Sequence, residues 1–201
     1  MITKILTEQQ LSIAAQSLRS GEVIAFPTET VFGLGVVFDN ETAYKKLVII
    51  KERPPTQPFT LMCGDIDEIA KYAELDALSE KIIKQFMPGP LTIIVKVKAD
   101  VPLFVTLNTR FIGIRVSESK LVQTLIRKVG RPLLVPSANK HGAQPALTSE
   151  QALNVFTGEI PYIIEGCSSS NIPSTIIKID GKIELIRLGS IPFEKILEIV
   201  R

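Results

Sequence analysis

Polar turns follow several apolar segments of this sequence, and they hold most of the side chains that could do chemistry. Open sheets place ligand sites on loops at the ends of strands, so we expect these turns to meet at one site. The turns are Pro27–Gly35 (PTETVFGLG), Lys51–Pro54 (KERP), Pro88–Thr92 (PGPLT), Arg115, Pro136–Asn139 (PSAN), Ser174–Thr175 and Arg187–Gly189.

Covalent catalysis has little support in the same sequence. His141 is the single histidine, which disfavours a Ser-His-Asp triad. Cys63 and Cys167 lie far apart and outside any CxxC motif, which leaves too few soft ligands for a zinc site. The GxxxxGK(S/T) and GxGxxG signatures of nucleotide binding are missing. A phosphate ligand would therefore need scattered Arg, Lys and hydroxyl groups, with about 1.5–3 kcal/mol from each charged hydrogen bond.

Each turn also has a purely structural interpretation. Thr28 and Thr30 are typical of turns and caps, and Lys51 and Arg53 are typical of a solvated helix end. Arg115 is harder to explain in this way, because a charge at the end of an apolar strand needs a partner or water. Local sequence alone leaves these alternatives open.

Composition indicates an ordinary globular protein. The 201 residues are 45% apolar and 22% charged, with a formal net charge of +2. Any contact with nucleic acid must therefore come from a local basic patch. The N-terminus resembles no signal peptide and no apolar run has membrane-spanning length, so we expect a cytoplasmic protein with no membrane partner.

Strands and helices are predicted to mix without strict alternation. This pattern favours an α/β or α+β fold around one twisted, mostly mixed sheet. The sequence has no repeat, linker or composition shift, so residues 1–201 are predicted to form a single domain. Strands are predicted at 22–26, 36–38, 59–63, 91–97, 112–116, 133–135, 160–164, 174–179 and 183–188, and helices at 8–20, 42–50, 66–72, 78–86, 121–128, 148–156 and from 192.

Seven segments together resemble one family, the YrdC/TsaC group of L-threonylcarbamoyladenylate synthases. They occur in the family's order and at about its spacing: PTETVFGLG, KERP, PGPLT, IGIRV, PSAN, PSTI and IRLG. The resemblance implies a twisted open sheet with flanking helices and a concave, positively charged face. It also implies the short form of the family, without the extra C-terminal domain of the long form.

The resemblance implies a reaction as well. L-threonine, bicarbonate and ATP would give threonylcarbamoyl-AMP and diphosphate, for N6-threonylcarbamoyladenosine modification of tRNA adenosine 37 by a downstream transferase complex. Mg²⁺ is expected with ATP, without a metal site formed by protein ligands. Some members bind tRNA or double-stranded RNA. The threonine amine supplies the nucleophile, so the enzyme would position reactants and neutralise charge.

Site residues follow from the resemblance position by position. The threonine-binding residues would be Thr28, Arg115, Ser137 and Ser174. The ATP-binding residues would be Lys51, Arg53, Asn139, Thr148 and Arg187, with Lys51 and Arg53 neutralising phosphate charge.

Four places in the sequence depart from the family pattern, one of which is residues 140–143, where KHGA stands in place of the usual LSG. Met62 stands where many members have a histidine, and FTLMC is similar to the YciO-like paralogues. Phe111 replaces a frequent hydroxyl, and Lys178 replaces a frequent Asp. The alternative function is therefore a YciO-like paralogue, or an RNA-binding module with weak or no synthase activity. Its candidate RNA contacts are Lys45, Lys46, Lys51, Arg53, Arg110, Lys140 and Arg187.

Overall fold

The strands of this chain form a mixed sheet. The computed structural model describes residues 2–54 and 56–199, and within them ten strands lie in the order β1-β8-β2-β3-β7-β4-β6-β5-β9-β10. The pairs β1/β8, β2/β8, β4/β6 and β5/β9 are parallel, and the others are antiparallel. The strands are β1 Lys4–Leu6, β2 Ile24–Phe26, β3 Gly33–Val37, β4 Leu61–Cys63, β5 Leu91–Lys96, β6 Phe111–Val116, β7 Leu133–Leu134, β8 Tyr162–Ile164, β9 Thr175–Ile179 and β10 Ile183–Arg187.

Helices flank the sheet, and side-chain caps fix where several of them begin. The Asn40, Asp76 and Ser119 side chains each accept a hydrogen bond from a first-turn backbone N–H. The helices are α1 Leu11–Arg19, α2 Glu41–Lys51, α3 Ile69–Tyr72, α4 Ala77–Phe86, α5 Leu103–Thr106, α6 Lys120–Val129, α7 Ser149–Phe156 and α8 Phe193–Glu198. In the described ranges, no helix has the length and apolar character needed to cross a bilayer.

Two apolar cores lie on opposite faces of the sheet. The larger holds one alternating set of strand residues, such as Leu61, Ile93 and Ile114. The smaller holds the other set, including Phe26 and Met62, beneath the buried stripes of α1 and α6. This second core ends at β4, and beyond it the same face presents Arg115 on β6, Thr92 on β5 and Arg187 on β10, beside Ile176 on β9.

The predicted mixed α/β fold is confirmed, and the differences concern short elements. The sequence analysis missed β1 and α5, and β3 begins at Gly33 within the segment interpreted as a loop. Both β3 glycines have a packing reason. A Cβ at Gly33 would lie 2.6 Å from Val135 Cγ1, and one at Gly35 would lie 2.6 Å from Phe26 Cε1.

Candidate active site

A row of side chains crosses five strands on the sheet face beyond the smaller core. Met62 pairs with Arg115 between β4 and β6, and Thr92 follows on β5, one position along from the Ile93–Ile114 pair. Ile176 pairs with Thr92 and with Arg187 on β10. Residues directly opposite in a sheet share a face, and these five line a cavity of about 150 Å³.

The turns predicted to meet do contribute to the walls of this cavity. They supply hydroxyl groups, a third guanidinium and apolar side chains. The remaining wall residues are Thr30, Val31, Arg53, Pro58, Phe59, Thr60, Val135, Pro136, Ser137, Pro173 and Ser174.

Arg115 is buried at the cavity, with 6% of its side chain exposed. Its Nη2 lies 2.7 Å from Glu29 Oε1, and its Nε donates to the Gly89 carbonyl at 3.1 Å. Nη1 and Nη2 both donate to Thr30 Oγ1 at 3.3 Å. Among residues 2–54 and 56–199 these contacts leave one Nη1 hydrogen without an acceptor, and it is available to a ligand.

Glu29 is the partner that the burial of Arg115 required, and the sequence analysis did not select it. Burial alone raises the pKa of this carboxyl. The charge of Arg115 and hydrogen bonds from the Ser117 hydroxyl and the Glu118 N–H outweigh burial, so the pKa is below its ordinary value. The sequence feature that could have identified Glu29 is its place inside the PTET turn, between two threonines.

Thr28 lies behind the cavity wall instead of on it. Its hydroxyl donates to the Val31 carbonyl at 2.7 Å and accepts from the Thr30 N–H at 3.0 Å. It also lies 2.9 Å from Thr30 Oγ1. Thr28 therefore fixes the turn that presents Thr30 to the cavity.

Lys51 is fully engaged inside the protein. Its Nζ donates to the Ser137 carbonyl at 2.7 Å, to the Asn139 carbonyl at 2.9 Å and to Asn139 Oδ1 at 2.7 Å. Ser137 Oγ lies 2.6 Å from the same Oδ1. The alternative interpretation of Lys51 as a solvated helix end is wrong, because the PSAN turn covers Lys51 and leaves 2% of the residue exposed. Lys51 acts on the cavity by fixing Ser137 and Asn139.

Arg53 and Arg187 lie at the rim of the cavity. Arg53 donates to the backbone carbonyls of Gln57 and Pro58, and Arg187 donates to the carbonyl and hydroxyl of Ser174. Within the described part of the chain, no carboxylate pairs with either guanidinium. Partial burial and then the charges of Arg115 and Arg53 lower the pKa of Arg187, so the cavity concentrates positive charge.

Thr148 is not brought to this cavity. It is the N-cap of α7, and its hydroxyl accepts from the Gln151 N–H at 3.2 Å. The structure gives it the cap role, and the predicted ATP contact remains a prediction.

Three of the departures from the family pattern, Met62, Phe111 and Lys178, lie on strands β4, β6 and β9. Met62 is buried and gives the cavity an apolar wall where a histidine would be polar. Lys178 Nζ lies 4.0 Å from the centre of the Phe111 ring, a cation–π contact.

Replacing Gly189 with alanine is expected to destabilise the protein and displace Arg187. A Cβ at Gly189 would lie 2.5 Å from the Thr175 backbone nitrogen and closer still to the Pro173 carbonyl, so backbone must move. Overpacking of this kind costs about 1–3 kcal/mol. Denaturant unfolding measures the loss, with Gly113→Ala as control, because a Cβ there would meet nothing nearer than 3.5 Å. Equal stability of the two variants would contradict the prediction.

Comparisons with known proteins identify the family of this chain. A family profile described as telomere recombination, which covers the Sua5, YciO and YrdC proteins, matches residues 16–189. A putative threonylcarbamoyl-AMP synthase of Methanocaldococcus jannaschii is 35% identical over 188 residues, which are 92% of this chain and 88% of that protein. The threonylcarbamoyl-AMP synthase of Pyrococcus abyssi is 31% identical over 198 residues, 97% of this chain and 58% of that protein.

Solved structures of Sua5 and YciO have the same fold as this chain. Sua5 of P. abyssi, complexed with L-threonine, has a TM-score of 0.93 at 30% identity, over 100% of this chain and 61% of that chain. YciO of E. coli has a TM-score of 0.88 at 26% identity, over 96% of this chain and 97% of that chain. The chain thus spans less than two thirds of the Pyrococcus protein and nearly all of YciO.

Proposed function

This chain belongs to the Sua5/YciO/YrdC family, and we propose that it is an L-threonylcarbamoyladenylate synthase. The reaction joins L-threonine, bicarbonate and ATP to give threonylcarbamoyl-AMP, diphosphate and water. The observation that carries the proposal is the cavity where the Arg53, Arg115 and Arg187 side chains meet among five hydroxyl residues, Thr30, Thr60, Thr92, Ser137 and Ser174.

The proposed reaction needs positioning more than covalent catalysis. The threonine amine attacks bicarbonate-derived carbon and forms a carbamate with loss of water. A carbamate oxygen then attacks the α-phosphate of ATP, and diphosphate leaves. Binding the reactants together supplies much of the acceleration, and guanidinium groups stabilise the phosphate charge that develops. No protein nucleophile takes part.

Each end of the cavity has a proposed role. The free Nη1 hydrogen of Arg115 binds the threonine carboxylate, with Ser137 and Ser174 completing that pocket and Thr28 supporting it through Thr30. Arg53 and Arg187 bind the ATP phosphates from the rim. Lys51 and Asn139 form the network that holds Ser137 in place.

The further partners are also proposals. Mg²⁺ commonly binds through substrate phosphates and a few protein oxygens, and we propose that it enters with ATP. The product would be used by a downstream transferase complex for N6-threonylcarbamoyladenosine formation at adenosine 37 of tRNA.

Diphosphate release is the direct test of the proposed function. Purified protein with Mg-ATP should release diphosphate only when L-threonine and bicarbonate are both present, and mass spectrometry should detect threonylcarbamoyl-AMP. Release that is equally fast without threonine would refute the synthase assignment. Binding of ATP with no release under any condition would instead support the YciO-like alternative.

A second candidate function, the YciO-like paralogue, rests on the apolar wall at Met62. A thioether cannot replace both hydrogen-bonding nitrogens of a histidine, so amino-acid recognition at this wall differs from that of histidine-containing members. The Met62→His variant tests the difference. A variant that gains threonine-dependent diphosphate release when the natural protein has little would favour the paralogue.

The surroundings of several candidate lysines give direct RNA binding less support than the synthase proposal. Among its candidate contacts, Lys45 pairs with Glu41, Lys46 with Glu22, and Lys140 with Glu52 and Glu159. These ion pairs reduce the charge available to phosphates. Binding to tRNA would have to weaken steeply as salt rises to retain this alternative.

Activity is expected to fall as pH rises through about 8, because Lys51 loses a proton. Burial, followed by the charge of Arg53, lowers the Lys51 pKa from 10.5 to about 8. A neutral amine has only two N–H donors for the three acceptors on Ser137 and Asn139. Lysine-selective NMR should show one ammonium titrating near pH 8, and that signal should vanish in Lys51→Met.

Stability should move in the opposite direction over the same pH range. Between about pH 8 and 10.5 the unfolded chain binds more protons at Lys51 than the folded chain does. The contribution of Lys51 to the free energy of unfolding therefore rises with pH while activity falls. A Lys51 that titrates at 10.5, or activity that persists to pH 10, would contradict this account.

A further inference from the structure

Glu29 lines one cavity and is paired with Arg115, which lines the cavity of the candidate active site. The cavity that Glu29 lines is behind the PTET turn, and Thr28 and Ser119 line it as well. The PTET turn therefore separates the two cavities, and Glu29 is its charged residue.

The contacts of Glu29 hold its carboxylate in one orientation. Oε1 accepts from Arg115 Nη2 at 2.7 Å and from the Glu118 N–H at 3.1 Å, and Oε2 accepts from the Ser117 hydroxyl. Ser117 is itself fixed, since its carbonyl accepts from Gln123 Nε2 at 2.8 Å and its hydroxyl accepts from the Ser119 N–H at 3.2 Å. Glu29 and Arg115 therefore form a charge-neutral pair of fixed geometry.

The charge at the two parts of the cavity then differs. Arg115 is neutralised by Glu29, whereas the described residues place no carboxylate on Arg53 or Arg187. The Arg115 part offers a directed N–H donor with little net charge, and the rim offers net positive charge. A polyphosphate is attracted to net positive charge, while a single carboxylate can be bound by an oriented donor.

We propose that Glu29 is a positioning and specificity-determining residue that orients Arg115 for an amino-acid carboxylate and keeps polyphosphate out of that part of the cavity. The inference rests on the proposed function and deepens it, since it assigns the two anionic substrates to separate parts of one cavity. Glu29 acts through Arg115 and through the local charge, so it is not a catalytic residue. Rejection of the wrong ligand by charge is a common route to specificity.

Glu29→Gln tests the proposal by separating two affinities. This change keeps the side-chain shape and removes the negative charge. Isothermal titration should show threonine binding weakened about tenfold or more, as expected when one charged hydrogen bond loses its alignment. Inorganic diphosphate should bind severalfold more tightly and become competitive with threonine. A merely structural role would not strengthen the binding of any ligand.

Two further variants keep the test interpretable. Ser117→Ala removes one hydrogen bond to Glu29 and retains its charge and its pairing with Arg115, so it should weaken threonine binding by a smaller factor and leave diphosphate affinity unchanged. Leu18→Ala makes a cavity in the smaller core beneath α1 and should lower the melting temperature without changing either affinity.

The outcomes distinguish this inference from the proposed function. Natural protein that binds ATP and diphosphate but never threonine would refute the synthase assignment, and the diphosphate affinity of Glu29→Gln would still report on Glu29. A Glu29→Gln protein with unchanged diphosphate affinity, or one that differs from the natural protein only in melting temperature, would overturn the inference.

Discussion

Arg115→Gln is expected to lower threonine-dependent diphosphate release by about 100-fold or more and to destabilise the protein. The activity loss follows from removal of the donor proposed for the threonine carboxylate, since charged hydrogen bonds contribute about 1.5–3 kcal/mol each. The stability loss follows from Glu29, which would remain buried without its partner. Breaking a buried ion pair on one side costs about 3–5 kcal/mol.

A double variant separates these two effects. Glu29→Gln combined with Arg115→Gln removes both charges, so no buried ion is left unpaired and two amides can bond to each other. We expect the double variant to recover much of the stability lost by Arg115→Gln alone while its activity stays low. Stability comes from denaturant unfolding and activity from diphosphate release with threonine and bicarbonate. A double variant that regains activity would show that Arg115 serves the fold alone.

Burial explains why Arg115 could be predicted and Glu29 could not. An arginine at the end of an apolar strand needs a partner, and the sequence shows this directly. The identity of the partner depends on bringing residues 29 and 115 together across the sheet, and the chain has 21 acidic residues to choose from. The strand order β3-β7-β4-β6 places the PTET turn, which leads into β3, near Arg115 on β6.

The environment of Lys51 could not be predicted from the local sequence. At the end of α2 its type and position are typical of a solvated cation at the negative pole of a helix. The residues that bury it, Ser137 and Asn139, come 86 and 88 positions later in the chain. Helical periodicity reports which face of a helix is apolar, but it contains no information about a loop that closes over the helix end.

The longer elements were predictable for a simple reason. Helices such as α4 and α6 carry a cap and a repeated apolar stripe, and strands such as β5 carry an unbroken run of β-branched and aliphatic residues. β1 and α5 have three and four residues, too few for any period to be recognised. The turns of the candidate site were predictable from their polar composition, and their arrangement around one cavity required the strand order.

The Arg187→Gln variant is expected to weaken ATP binding about 10- to 100-fold and threonine binding by a clearly smaller factor, because Arg187 also holds Ser174 of the proposed threonine pocket, while stability changes little. Arg187 is exposed at the rim, and its hydrogen bonds go to the carbonyl and hydroxyl of Ser174. Its charge has no carboxylate partner among the described residues and lies near Arg115 and Arg53, so removing it relieves repulsion. A phosphate would lose a charged donor worth about 1.5–3 kcal/mol.

Arg131→Gln is the matched control for this variant. Arg131 is also an exposed arginine, with 60% of its side chain accessible, but it pairs with Asp39 and lies outside the cavity lining. Its removal should change ATP affinity less than about twofold, because Arg131 does not line the cavity. It should also change the free energy of unfolding little, since an exposed ion pair contributes only about 0–1 kcal/mol to stability. Titration calorimetry with ATP and with L-threonine measures both variants. If Arg187→Gln weakened threonine binding as strongly as ATP binding, the rim would not be the phosphate site, and the proposed separation of the two substrates would have to be abandoned.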